Sequence, residues 1–261
     1  MPTPSLVRYM EATPLFTVQE LKDRYGNHSS QRTILNVLHR LKKQGRVQAV
    51  ARGVYAGASA SSPPNRYALP RRVREDAVLA CHSALEFHGV ANQVFQAVYF
   101  FSAQHRRDVV FDGVVYHRVA PPSALRRSGK LNFQVEQTAD QVRVTGRERS
   151  FVDSLLFLEF GGGAAELDKC LAMLPSFDFD VALEYLKLLR QPWLYARVGY
   201  LLDRHADRLF FSGKHRDAFL ARRPRGVAYL ERKSRGLRWV ETWNLMVPET
   251  MLPSSEHGVR S

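Results

Sequence analysis

Between Ser29 and Lys43, side chains able to hydrogen-bond a base edge or a phosphate recur at helical spacing. Ser29, Arg32, Asn36, His39 and Lys43 fall on one face, with Thr33 and Arg40 beside them and Ser30 at its start. The chemistry this offers is the reading of duplex DNA. A helix fits the major groove, where arginine pairs bidentately with guanine and asparagine with adenine, which nominates Arg32 and Asn36 for base contacts. Arg40, Lys42 and Lys43 suit phosphates. Arg52, in a Gly-containing turn, can clamp phosphate or enter a minor groove, assisted by Arg46. The same charges also fit a solvated helix face in a module used for protein contact.

A second basic cluster lies near the other end: Arg216, Arg222, Arg223, Arg225, Arg232, Lys233, Arg235 and Arg238, with Tyr229 and Trp239 interleaved. Arginines grip phosphate and aromatic rings stack on bases, so RNA, a second DNA segment or an acidic partner surface fits it. A plain solvated surface fits it too.

Signs of enzymatic chemistry are sparse. Glu231-Arg232-Lys233 carries the acid-x-Lys pattern of some metal-dependent nucleases, with Asp203 or Asp207 as a second carboxylate, but three residues of this kind also describe a surface charge pair. His82 and His88, six residues apart on one expected helix, point to nearly opposite sides and do not suit a shared metal; core or capping roles fit them better. Gly161-Gly162-Gly163 is not followed by Lys-Ser/Thr, so it is expected to be an interhelical turn rather than a phosphate loop. Ser150 and Asp153 have no His nearby in sequence to complete a triad. Cys81 and Cys170 sit singly in apolar patterns and are expected as buried free thiols. The expectation is a protein without catalytic residues, metal or cofactor.

The elements that must hold the reading face are marked by their boundaries. Thr17-Val18-Gln19-Glu20 is a capping box, and Leu21 and Tyr25 continue a buried stripe up to Gly26-Asn27. Ser29 and Ser30 can cap the next helix, whose apolar set is Ile34, Leu35, Val37, Leu38 and Leu41, and Gly45 ends it. Arg46 to Val50, the turn 51–53 and Val54 to Ala56 then form a hairpin. Helix, turn, longer helix and hairpin make a winged helix-turn-helix over 1–57. Residues 58–70, with Pro63, Pro64 and Pro70, look like a linker.

A second domain is expected over 71–252. It opens with a helix from about Glu75 to His88 and aromatic, β-branched runs at Val94 to Phe101 and Val109 to Val119, the latter broken by Asp112-Gly113. Val135 and Gln141 to Thr145 are weaker strand signals. Helices follow at 148–160, 164–174, 178–190 and 193–208, with strands at Val227 to Leu230 and Trp243 to Val247 and a frayed tail at 253–261. The fold class is α+β: an N-terminal winged helix-turn-helix plus a larger mixed α+β C-terminal domain.

Charge supports the two-ended picture. The chain of 261 residues has a net charge of +13. Residues 1–57 hold nine Lys and Arg against three Asp and Glu, residues 190–261 hold fourteen against seven, and the middle has fifteen of each. Basic ends around a neutral centre suggest an anionic partner, with nucleic acid favoured over membrane lipid. No run approaches the roughly 18 apolar residues of a membrane span and no signal core follows Met1, so a cytoplasmic location is expected.

The wing end Arg52-Gly53-Val54-Tyr55 and the segment Cys81-His82-Ser83-Ala84-Leu85-Glu86-Phe87-His88-Gly89 resemble the AbiEi family of type IV antitoxins. Arg147-Glu148-Arg149-Ser150-Phe151-Val152-Asp153 and Ala196-Arg197-Val198-Gly199-Tyr200-Leu201-Leu202 are similar to later segments of that family. Trp243-Asn244-Leu245-Met246-Val247 is similar to its closing strand, with Pro248 where Asn is expected. The resemblance implies an antitoxin that represses its own operon by binding double-stranded operator DNA. It also implies a C-terminal domain that counters a nucleotidyltransferase toxin encoded alongside, without requiring a stable complex.

Overall fold

The computed structural model describes residues 4–104, 107–232 and 235–252. The chain is mixed α+β and divides into two compact units. Among the described residues no helix is long and apolar enough to cross a membrane.

The first unit begins α1 (Pro4–Ala12), β1 (Phe16–Thr17), α2 (Val18–Tyr25), α3 (Gln31–Lys43), β2 (Val47–Ala51) and β3 (Val54–Gly57). Its sheet has the order β1-β3-β2. The capping box at Thr17 forms in full, and Leu21 and Tyr25 are buried. Helix α1, which precedes the capping box and carries no boundary signal of that kind, has Leu6 and Met10 one turn apart and both fully buried. Tyr9 adds its ring to those of Phe16 and Tyr25.

In α3 the buried residues are Ile34, Val37, Leu38 and Leu41. Leu35, expected among them, is 40% exposed. At about 100° per residue it stands more than a right angle from the centre of that stripe.

Gly57 shows why the strand ends on glycine. A Cβ there would lie 2.2 Å from the carbonyl oxygen of Glu11, so β3 approaches α1 more closely than any side chain permits.

The chain continues through α4 (Leu69–Val73), β4 (Val78–Leu79), α5 (Cys81–Phe87), β5 (Ala97–Phe101), β6 (Val109–Phe111), β7 (Val114–Val119), α6 (Ser123–Ser128), β8 (Val135–Gln137) and β9 (Arg143–Thr145). The expected helix over 75–88 is shorter, because Val78 and Leu79 pair with Phe101 and Phe100 of β5 instead. The strand expected from Val94 starts at Ala97, and Val94 is 71% exposed. Asp112 and Gly113 adopt φ values of 50° and 71°, which suit the tight turn between antiparallel β6 and β7. β5 and β7 run parallel, Ala97 opposite Val115.

The units do not follow the compositional boundaries at 57 and 70. The first comprises Met1–Leu79, Gln96–Ala120 and Gln137–Arg143. Residues 58–70 therefore do not separate two bodies. Leu69 and Pro70 are buried, and Arg72 ion-pairs with Glu20 of the capping box. β6 packs near β2, which brings 97–119 to the first sixty residues, a long-range association that local composition does not encode.

The second unit, Ala80–Phe95, Pro121–Glu136 and Val144–Ser261, holds the larger core. Its helices are α5, α6, α7 (Arg147–Leu156), α8 (Leu158–Gly161), α9 (Ala164–Met173), α10 (Phe179–Leu189), α11 (Pro192–Arg204), α12 (Ala206–Leu209) and α13 (Gly213–Leu220). Strands β10 (Ala228–Tyr229), β11 (Leu237–Val240) and β12 (Leu245–Pro248) form a separate sheet in the order β10-β12-β11. Trp243, expected in a strand, sits in a single 3-10 turn before β12. The tail at 253–261 lies outside the described residues.

Candidate nucleic-acid interface

Arg32, Asn36, His39, Arg40, Lys42 and Lys43 are all exposed on α3, and none of them forms an ion pair among the described residues. Ser29 is half-buried. Ser30 and Thr33 build the helix start: Ser30 Oγ accepts from the Thr33 amide at 3.2 Å, and their hydroxyls lie 2.9 Å apart. Ser30 is exposed and Thr33 half-buried, and their hydrogen-bonding capacity is partly spent on the cap.

Arg52 is exposed at the tip of the β2–β3 hairpin, beside Gly53 with φ 81°. The tip is tied to the helices. The Val18 amide donates to the Gly53 carbonyl at 3.0 Å, and Phe16 and Thr17 pair with Tyr55 and Val54. Arg46 differs from the rest, because its guanidinium is held by Glu11 of α1.

The second basic cluster is less uniform than its sequence suggests. Arg216 Nε and Nη2 donate to Asp203 at 2.8 and 3.0 Å, and the Trp243 indole donates to the same carboxylate at 2.8 Å. Arg216 is thus a clamp inside the second unit, and its hydrogen bonds to Asp203 raise its pKa further. Arg238 pairs with Glu249 at 2.7 Å. Arg222 and Arg223 donate to carbonyls of their own helical turn, Ala218 and Leu220. Arg225, Arg232 and Arg235 are exposed. Lys233 lies outside the described residues. Tyr229 and Trp239 are 39% and 55% exposed.

Two of the three carboxylates weighed for nuclease chemistry are engaged in structure, whereas Asp207 is exposed on α12. Glu231 accepts from the Ala164 amide at 2.5 Å, closing the N-terminus of α9 after the Gly161–Gly163 turn. Asp203 is taken by Arg216 and Trp243.

Segments 81–89 and 147–153 contribute buried polar frameworks. His82 is fully buried, with Nδ1 3.0 Å from Glu86 and Nε2 3.1 Å from Glu166, and it stacks on Phe95 at 3.9 Å. Glu166 also accepts from the amides of Asn92 and Gln93 and from the Asn92 side chain. Burial would raise its pKa, but these bonds outweigh burial and lower it. Cys170 Sγ lies 3.5 Å from Glu166. His82, Glu166 and Cys170 thus offer metal-ligand atoms within 4.8 Å of one another. Spacing gave no sign of this, since the pair His82 and Glu166 is 84 residues apart. Burial pushes the Cys170 thiol up to about 12, and its S–H donates to Glu166, so the trio is joined as a hydrogen-bonding hub. His88 meets the Thr145 carbonyl at 2.7 Å. Both cysteines are buried and free.

Arg149 and Asp153 pair at 3.3 Å in the core, and Tyr185 donates to Asp153 at 2.5 Å. Arg149 also binds the carbonyls of Leu131 and Phe133. Burial pushes Asp153 up to about 6 against the opposing pull of Arg149 and Tyr185. Ser150 bonds Thr145 and Gly146, not a catalytic base.

No protein-family model matches the chain, and no curated protein does. Among solved structures, the crystal structure of the RV2827C protein from Mycobacterium tuberculosis is similar in fold, with a TM-score of 0.63 and 18% identity. The match covers 93% of this chain and 88% of that one.

Proposed function

We propose that the chain is a DNA-binding regulator whose first sixty residues act as a winged helix-turn-helix, with α3 in the major groove and Arg52 at the wing. The observation that carries this is the exposed face of α3, where Arg32, Asn36, His39, Arg40 and Lys43 have no ion-pair partners among the described residues. An anchored hairpin accompanies it. Arg32 and Asn36 read bases, while Arg40, Lys42, Lys43 and Arg52 hold phosphates.

The test is a salt titration of duplex binding, using DNA from upstream of the protein's own gene. The four cations assigned to phosphates give a log-log slope of about −3.6. Arg40→Ala reduces the magnitude of the slope by about 0.9. Arg46→Ala leaves it nearly unchanged, because Glu11 already neutralises that cation. A flat salt profile refutes the reading.

We further propose that this regulator is the antitoxin of a type IV toxin-antitoxin pair, repressing its operon and opposing a nucleotidyltransferase toxin from the cytoplasm. Support comes from the ordered resemblance at 52–55, 81–89, 147–153, 196–202 and 243–247. Co-expression of the full chain with the adjacent gene product tests it: the antitoxin reading predicts rescue of growth. Unchanged growth leaves a plain winged-helix repressor.

A further inference from the structure

The second unit contains a cavity of about 530 Å³ that the DNA-binding reading does not use. It is lined by Trp193, Arg197, Pro224, Val227, Tyr229 and Arg232, among others. Its size falls within the usual range for small-ligand sites.

Arg197 is the centre of this cavity. Its guanidinium lies 4.5 Å from the Trp193 ring centroid, its Nε donates to the Tyr229 carbonyl at 2.8 Å, and its Nη1 donates to the Leu155 carbonyl at 2.8 Å. These bonds fix the fork and leave Nη2 without a partner among the described residues. No carboxylate pairs with Arg197, and Arg232 faces it as a like charge. Burial and then Arg232 push its pKa down to about 10, with Glu231 opposing them. Two guanidinium groups line one half-buried cavity with no acid among its lining residues; Glu231 acts on Arg197 from the neighbouring wall without forming an ion pair with it, which leaves both forks open to an anion.

A neighbouring cavity of about 560 Å³ shares Leu156, Arg197 and Arg232 but also has Glu159 and Glu231 on its wall, which disfavours an anion on that side. The rest of the first cavity is apolar and aromatic: Val227 is 56% exposed there and Tyr229 39%. Guanidinium forks match the oxygens of a phosphoryl group, and an aromatic wall takes a flat ring.

We propose that this cavity binds a nucleoside phosphate, with the phosphoryl group between Arg197 and Arg232 and the base against Tyr229 and Val227. The ligand is either a free nucleotide or one nucleotide of a single strand, two sources with the same chemistry.

Calorimetric titration of the full chain tests this with AMP, adenosine, inorganic phosphate and a 5′-phosphorylated single-stranded oligonucleotide. Arg197→Ala would also remove two backbone bonds, so the variants are Arg232→Ala and Tyr229→Ala, both at exposed residues. Arg223→Ala, an exposed cation absent from the cavity lining, is the control. AMP or the oligonucleotide is expected to bind one per chain, with adenosine and phosphate at least about tenfold weaker. Arg232→Ala is expected to weaken binding by roughly ten- to hundredfold, Tyr229→Ala by about tenfold, and Arg223→Ala by little. Binding of AMP identifies a free nucleotide site, and binding of the oligonucleotide alone identifies a strand. Failure of both at millimolar concentration overturns the proposal, as does equal weakening by Arg232→Ala and Arg223→Ala. Duplex binding through α3 is measured separately, so loss of one reading leaves the other standing.

Discussion

Replacing Gly199 by alanine sets two opposing effects against each other in a way the structure resolves. Gly199 lies inside α11, where alanine normally stabilises a helix by about 1 kcal/mol. Here the new Cβ would stand 2.3 Å from Cη2 and Cζ3 of Trp243. The indole cannot swing away easily, because it is 1% exposed and its N–H donates to Asp203, which Arg216 holds from the other side. Overpacking costs about 1–3 kcal/mol. A disturbed buried hydrogen bond adds about 1–3 kcal/mol. The net expectation for Gly199→Ala is a loss of about 2–4 kcal/mol and a fall in Tm of roughly 5–15 °C. Thermal and urea unfolding followed by tryptophan fluorescence measures it. Trp243→Leu removes the colliding atoms, so the double variant should lose less than the sum of the singles. A Gly199→Ala protein with unchanged or raised Tm would show that helix propensity wins and that the contact is not as tight as argued.

Other outcomes follow from the polar frameworks. Asp168 accepts from Arg204 and His205, bonds that outweigh burial and hold its pKa below the ordinary 3.8. Because the native pKa is depressed, its contribution is complete above the ordinary value and is lost as pH falls through the native one. Asp168→Asn should therefore cost about 1–3 kcal/mol at neutral pH and flatten the stability curve below about pH 4, as read by urea unfolding across pH. Glu166→Gln turns one acceptor of the hub into a donor facing other donors, with an expected loss of about 2–4 kcal/mol and faster amide exchange at Asn92 and Gln93. Thr17→Ala should cost about 1 kcal/mol by breaking the capping box, measured as a shift in the urea midpoint.

Sequence alone determined what depends on neighbours a few residues apart. Capping at Thr17, the period of Ile34, Val37, Leu38 and Leu41, the Gly53 turn and the Asp112-Gly113 hairpin are local chemistry, and each appears near its expected place. The exposed α3 face was legible for the same reason, since helix geometry fixes which side chains oppose an apolar stripe. Only the tertiary structure decided which charges remain available. Arg46 and Arg216 looked equivalent to Arg40 and Arg232, yet Glu11 and Asp203 claim the first two through contacts that no spacing rule reveals. Cys170 and His82 meet through Glu166 for the same reason. Residues 97–119 joined the first sixty by long-range association. The Arg197 cavity was hidden in another way: Trp193 and Arg197 are a local pair four residues apart on α11, but the loop at 224–227 and β10 that complete the cavity are distant in sequence and only packing brings them there. Periodicity fixes the direction in which a side chain leaves its own element, whereas long-range packing fixes what it meets there.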